Sequence, residues 1–147
     1  MIGAGPAGLA AAEALAARGV PVDVFDRMPS AGRKFLLAGR GGLNLTHSEP
    51  LGPFLTRLSP QAPPLLEAVR SFDGTRVRAW AEGLGVSTFV GTSGRVFPSD
   101  MKAAPLLRAW LHRLRSRGVV FHMRHRWVGW EADGGLRLAG PDGTERV

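Results

Sequence analysis

Six residues at the start of the chain, Gly3-Ala4-Gly5-Pro6-Ala7-Gly8, have the types and spacing that let a backbone wrap a phosphate. Where a buried strand turns into a helix, Gly3 serves the tight bend and Gly5 removes the side chain that would hold a pyrophosphate off the main chain. Gly8 lets the helix lie close on the sheet. The amides that open the helix then face the phosphates with its positive dipole end. Asp26, eighteen residues beyond Gly8, stands where a carboxylate would take the two hydroxyls of an adenosine ribose. Together these residues describe a seat for a dinucleotide, which is a ligand and not yet a reaction. The competing interpretation is an alanine-rich helix after a structural turn, with Asp26 a solvated strand end, and the context of the motif decides between the two.

That context is favourable. Residues Leu9 to Arg18 are nearly all Ala and Leu, with Glu13 and Arg18 the only charges, the composition of a helix packed closely on a sheet. Gly19 stops it as a left-handed cap would. Val20, Val22, Val24 and Phe25 then make an apolar, β-branched run around Pro21 and Asp23, a second strand buried on both faces and ended by Asp26. Only Met1 and Ile2 precede Gly3, whereas the first strand of such a fold has about five or six residues. The chain is therefore expected to begin late, as a fragment or from a misplaced start.

From Gly32 to His47 comes a second unusual stretch, with Gly39, Gly41 and Gly42 in four positions bracketed by Arg33, Lys34 and Arg40. Such a run suits a backbone passing close to a flat or anionic ligand, and Asn44 and Thr46 can hydrogen-bond a heteroaromatic edge. Coming directly after the ribose carboxylate, it is expected to form the second wall of the same site.

The run from Gly3 through Asp26 to Gly32-Arg33-Lys34 and Gly39 to Thr46, joined by Gly94-Arg95-Val96-Phe97-Pro98, resembles the YhiN-like flavoproteins, also called BaiN/RdsA-type NAD(P)/FAD-dependent oxidoreductases. The resemblance covers almost the whole chain. It implies FAD, with the glycine loop at the pyrophosphate, Asp26 at the ribose and the Gly39 to Asn44 loop toward the flavin. It also implies NAD(P)H as co-substrate, with hydride passing through the flavin to an unsaturated acceptor. Relatives divide between steroid-like enones and uridine in ribosomal RNA, so a small molecule and an RNA both stand as substrates. The residues expected to hold the cofactor are Gly3, Ala4, Gly5, Pro6, Ala7, Gly8, Asp26, Arg27, Arg33, Lys34, Gly41, Gly42 and Asn44. Val128 joins them because, in the wider class, backbone near the start of a β-meander meets adenine. No catalytic acid or base is named. Many members read Ser-Gly-Gly-Gly-Arg-Cys-Asn where this chain has Ala38-Gly39-Arg40-Gly41-Gly42-Leu43-Asn44, which points to a distinct subgroup. The family's later segment, which closes the flavin site, lies outside these residues. The resemblance therefore implies that the chain alone binds FAD poorly and turns over little, and a non-catalytic FAD-binding remnant is the alternative.

The expected fold is α/β: a Rossmann-like FAD-binding domain of parallel sheet and crossover helices plus an antiparallel meander, with a mainly helical insertion and incomplete at both ends. Residues 1–48 would begin that domain, 49–98 form the insertion and 99–147 continue the domain. Within the insertion, Leu65, Leu66, Val69 and Phe72 fit one helix face. Val77, Trp80, Ala81 and Leu84 fit another, with Asp73 as its cap, and Val86 to Phe97 reads as a hairpin. Leu106, Leu107, Trp110, Leu111 and Leu114 make the stripe of a helix ended by Gly118. Arg113, Arg115 and Arg117 oppose the negative end of its dipole. Val119 to Arg124 follows as a third parallel strand. Turn signals at Asp133-Gly134-Gly135 and Pro141-Asp142-Gly143 then divide a meander whose last strand reaches Val147.

Composition narrows the remaining classes. A length of 147 residues with 44% hydrophobic content supports a core. No stretch approaches the roughly 20 apolar residues of a membrane span, so no membrane partner is expected. Without cysteine there is no disulfide framework, thiol nucleophile or thiolate metal site, and the default location is cytoplasmic. His112, His122 and His125 lack metal-ligand spacing. The charge of +7 could attract a polyanion such as RNA; it comes from 17 Arg against 2 Lys, which are scattered apart from a run in the second half, so a compositional bias and a nucleic-acid partner both stay open, with the arginine content leaning toward the RNA substrate.

Overall fold

A computed structural model describes residues 1–146, with side chains to Gly143. In chain order the elements are α1 (Pro6–Ala16), β1 (Asp23–Asp26), α2 (Arg33–Ala38), β2 (Thr46–His47), α3 (Leu51–Thr56), α4 (Pro63–Ser71) and α5 (Gly74–Gly83). They continue with β3 (Thr88–Val90), β4 (Arg95–Pro98), α6 (Ala103–Ser116), β5 (Val120–Met123), β6 (Arg126–Trp130), β7 (Leu136–Gly140) and β8 (Gly143–Arg146). Packing divides the chain into two units, residues 1–37 with the segment from Trp110 onward, and Ala38–Ala109. The boundaries expected at 48 and 98 both fall inside the second unit. No helix among the described residues is long and apolar enough to cross a membrane.

In the first unit β1 runs parallel to β5, Val24 opposite Phe121 and Asp26 opposite Met123, and Ile2 bridges Phe25 in parallel. The spatial order is therefore β5, β1, then the amino terminus, the order of the first three strands of a doubly wound sheet. Pro6, with its fixed φ, opens α1 at the first helical position. Helix α1 ends at Ala16, two residues short of the expected Arg18. There Gly19, at φ 74°, donates to Ala16 O and Val20 to Leu15 O, a left-handed cap that takes up the last carbonyls. Leu9, Ala12, Val24 and Leu114 are fully buried.

The arginine run at the end of α6 does more than face a dipole. Glu13 on α1 accepts from Trp110 Nε1 at 2.7 Å and from Arg113 Nη1 at 2.9 Å, and Arg117 Nη1 lies 3.6 Å away. Arg115 sits over the Phe121 ring at 5.2 Å. Because Glu13 is largely buried, Glu13→Ala should lower unfolding stability by about 1–3 kcal/mol. Arg18→Ala, an exposed charge just past the end of the same helix, should stay within about 0.5 kcal/mol. Urea denaturation of both variants checks this, and equal midpoints would reject it.

Strands β6, β7 and β8 form the antiparallel meander, with a bulge between Trp127 and Gly129. The final residue of the last expected strand, Val147, lies outside the described residues. In the second unit β3 and β4 make the expected hairpin, and β2 adds a third strand on the other edge of β4. Helices α4 and α5 occupy the two expected periodic stretches, and Asp73 Oδ1 caps α5 by accepting from Arg76 N at 2.9 Å. Helix α2 stands where the sequence showed loop, and α3 falls within the insertion expected to be mainly helical.

Candidate functional site

A cavity of about 430 Å³ opens in the first unit where the chain leaves the carboxyl ends of its parallel strands. Four segments meet there and backbone amides tie them together. Ala4 N donates to Asp26 Oδ2 at 2.6 Å, while Ala4 O accepts from Gly32 N at 2.8 Å. Met28 N donates to Asp26 Oδ1 at 2.8 Å, and His125 N to Asp26 O at 2.9 Å. Asp26 thus pins the glycine turn to the end of β1. Each of its carboxylate oxygens accepts one amide, leaving about two of roughly four lone-pair positions for a ligand. Among the described residues it makes no ion pair.

The three motif glycines prove to serve different masters. Gly3 sits at φ 94°, a conformation side chains rarely adopt, and a Cβ on Gly8 would lie 1.9 Å from Gly3 O. The chain itself requires both. Gly5 has φ −80° and ψ 178°, open to any residue, and a Cβ there would meet nothing within 4 Å. It lines the cavity, so a side chain would project into the open space there. Gly5 is also the N-cap of α1 and supplies no side-chain bond, which leaves the first amides of the helix to an outside acceptor. Around this opening stand Arg27, Arg33, Lys34 and Arg126, all exposed and without ion pairs among the described residues. Four cations against one carboxylate favour an anionic ligand.

Of the residues expected at the site, Gly3, Ala4, Gly5, Asp26, Arg27, Arg33 and Lys34 line this cavity. Pro6, Ala7 and Gly8 form the first turn of α1 behind it. Gly41, Gly42 and Asn44 belong to the second unit, where Gly42 at φ 126° packs against Met101 and Asn44 is exposed. Val128 is off the wall: the structure puts Arg126 and Trp127 there instead, with Val128 the extra residue of the bulge. Met28, Ser30, Gly32 and His125 also line it without having been foreseen. The signal for the last group was the run His125-Arg126-Trp127, which directly follows the third parallel strand and must therefore emerge at the same edge.

The profile of the HI0933-like protein Rossmann domain matches residues 1–145. The chain belongs to that family. It is a family of FAD-binding oxidoreductases, and the finer YhiN, BaiN or RdsA assignment goes beyond this match. Solved structures agree on the fold of this HI0933-like domain. The 3-ketosteroid-delta4-(5alpha)-dehydrogenase of Rhodococcus jostii RHA1, in complex with 4-androstene-3,17-dione, superposes with TM-score 0.66 at 18% identity, over 99% of this chain and 42% of that one. THI4 of Thermovibrio ammonificans gives 0.58 at 17%, over 99% and 52%. CabE, an aromatic hydroxylase from angucycline biosynthesis, gives 0.57 at 18%, over 99% and 28%. The chain thus spans between about a quarter and a half of these proteins. No curated protein matches it.

Proposed function

We propose that this HI0933-like domain binds FAD by its adenosine diphosphate half, within an oxidoreductase of YhiN or BaiN/RdsA type. The observation that carries the reading is Gly5: nothing in the chain needs a glycine there, yet it walls a cavity that also contains a part-buried carboxylate with lone pairs to spare. The volume lies within the range of about 300–1,000 Å³ usual for ligand sites. The opening amides of α1 would hold the pyrophosphate, with Arg27, Arg33, Lys34 and Arg126 lowering the cost of its charge. Asp26 would hold the ribose hydroxyls. FAD, when bound, supplies two-electron chemistry that could carry hydride from NAD(P)H to an unsaturated acceptor. The RNA acceptor has less support than a small molecule, because Arg113, Arg115 and Arg117, the arginine run at the end of α6, are engaged by Glu13 and Phe121.

Calorimetric titration with FAD and with ADP tests this. Both should bind one site and displace each other. Asp26→Ala should weaken each by roughly 10- to 150-fold, the loss of charged hydrogen bonds worth about 1.5–3 kcal/mol. Asp26→Asn, which keeps one acceptor, should lose less. Absence of competition between ADP and FAD would end the proposal.

A further inference from the structure

We infer that a second cavity, within the unit Ala38–Ala109, is a binding site for a small zwitterion, an α-amino acid with an apolar side chain; this does not depend on the FAD reading. The cavity measures about 230 Å³ and lies between the end of β2, the start of α3 and the start of α5. At about 30 Å³ per non-hydrogen atom, the share of one water in the liquid, it holds roughly eight such atoms, the size of valine.

The charges on its wall choose the ligand. His47, Glu49, Asp73 and Arg78 all line it, and the first two are engaged within the chain. Glu49, only 11% exposed, pairs with Arg57 at 3.0 Å, and its amide donates to His47 Nδ1 at 3.1 Å. His47 Nε2 lies 3.0 Å from Ser93 O. Asp73 and Arg78 differ: both are half-buried, and neither makes an ion pair among the described residues, with each other or with a third group. Asp73 Oδ1 accepts the Arg76 amide, and Oδ2 takes no hydrogen bond among the described residues. Arg78 Nε donates to Thr88 Oγ1 at 3.1 Å, which fixes the guanidinium plane and leaves the two Nη groups to a ligand.

A cation and a carboxylate that share one cavity without meeting call for a ligand carrying both charges. Its carboxylate would take the fork of Arg78 and its ammonium Asp73. A dianion such as phosphate would meet Asp73 and Glu49 as like charges, so it fits less well. Leu51 and Phe54, half-buried on α3, supply the apolar wall for the side chain.

The test titrates the whole chain with L-valine by calorimetry, with saturation-transfer NMR for the weaker ligands. L-Valine should bind one site. Isobutyrate and isobutylamine, each keeping one of the two charges, should bind at least roughly tenfold more weakly. Asp73→Asn should weaken L-valine roughly 10- to 150-fold and leave isobutyrate unchanged, and Arg78→Gln should weaken L-valine similarly and leave isobutylamine unchanged. No binding of L-valine or L-leucine to the wild type overturns the inference. So does L-valine affinity within about twofold of wild type in either folded variant, isobutyrate binding as tightly as L-valine, or displacement of L-valine by inorganic phosphate. If Arg78→Gln fails to fold, Asp73→Asn decides alone, because asparagine caps a helix as well as aspartate does. ADP affinity should stay at the wild-type level in both variants, and Asp26→Ala should keep its L-valine affinity, so failure here leaves the FAD reading standing.

Discussion

Gly5→Val should abolish measurable binding of FAD and ADP, a loss of at least roughly 100-fold, while the unliganded protein stays folded. The binding loss follows because valine would occupy the approach to the first amides of α1, and each charged hydrogen bond lost there is worth about 1.5–3 kcal/mol. The fold survives because φ −80° and ψ 178° suit a β-branched residue, and the position before Pro6 favours extended backbone in any case. Two smaller effects oppose each other. Valine restricts the unfolded chain and gains about 0.4–1 kcal/mol, whereas an N-cap prefers glycine to valine by a similar amount. Their sum should move the melting temperature by no more than about 4 °C. Wild-type nucleotide affinity in this variant would show that the cavity beside Gly5 is not the phosphate seat.

How far such a site can be read from residues alone depends on how local its causes are. Gly3, Gly5, Gly8 and Asp26 were legible because a turn, a helix start and a strand end each leave a mark within a few residues. Gly19 and Gly118 were legible as helix stops for the same reason, and both adopt positive φ. Helix α2 was not: six residues within a glycine-rich run are too few for helical periodicity to show. Strand β2 was hidden more deeply. Its two residues gain their meaning from β4, Thr46 opposite Val96, a partner fifty residues away. A longer separation, 97 and 100 residues, hid the Glu13 pairing with Trp110 and Arg113, so an arginine run that matched a dipole-facing helix end also carried a part-buried ion pair. On the cavity wall, the place of Val128 beside the lining residues has one cause. A bulge inserts a residue without leaving a reliable mark in composition, and it changes which side chains share a face.

Gly8→Ala, a single added methyl, should cost at least about 2–3 kcal/mol and lower the melting temperature by roughly 4–12 °C. The new Cβ would stand 1.9 Å from Gly3 O and 3.1 Å from Gly3 C, both backbone atoms that no rotamer change can move aside. Gly3 in turn is held by its amide to Phe25 O at 2.8 Å, so relief requires shifting α1 or breaking the parallel bridge of the amino terminus to β1. Helix propensity and chain entropy both favour alanine over glycine by up to about 1 kcal/mol, so the net loss understates the steric conflict. Calorimetric melting of Gly8→Ala beside Gly5→Ala separates the two kinds of glycine: the first should melt far below wild type and the second close to it. If both melt alike, the close approach of α1 to the glycine turn is absent.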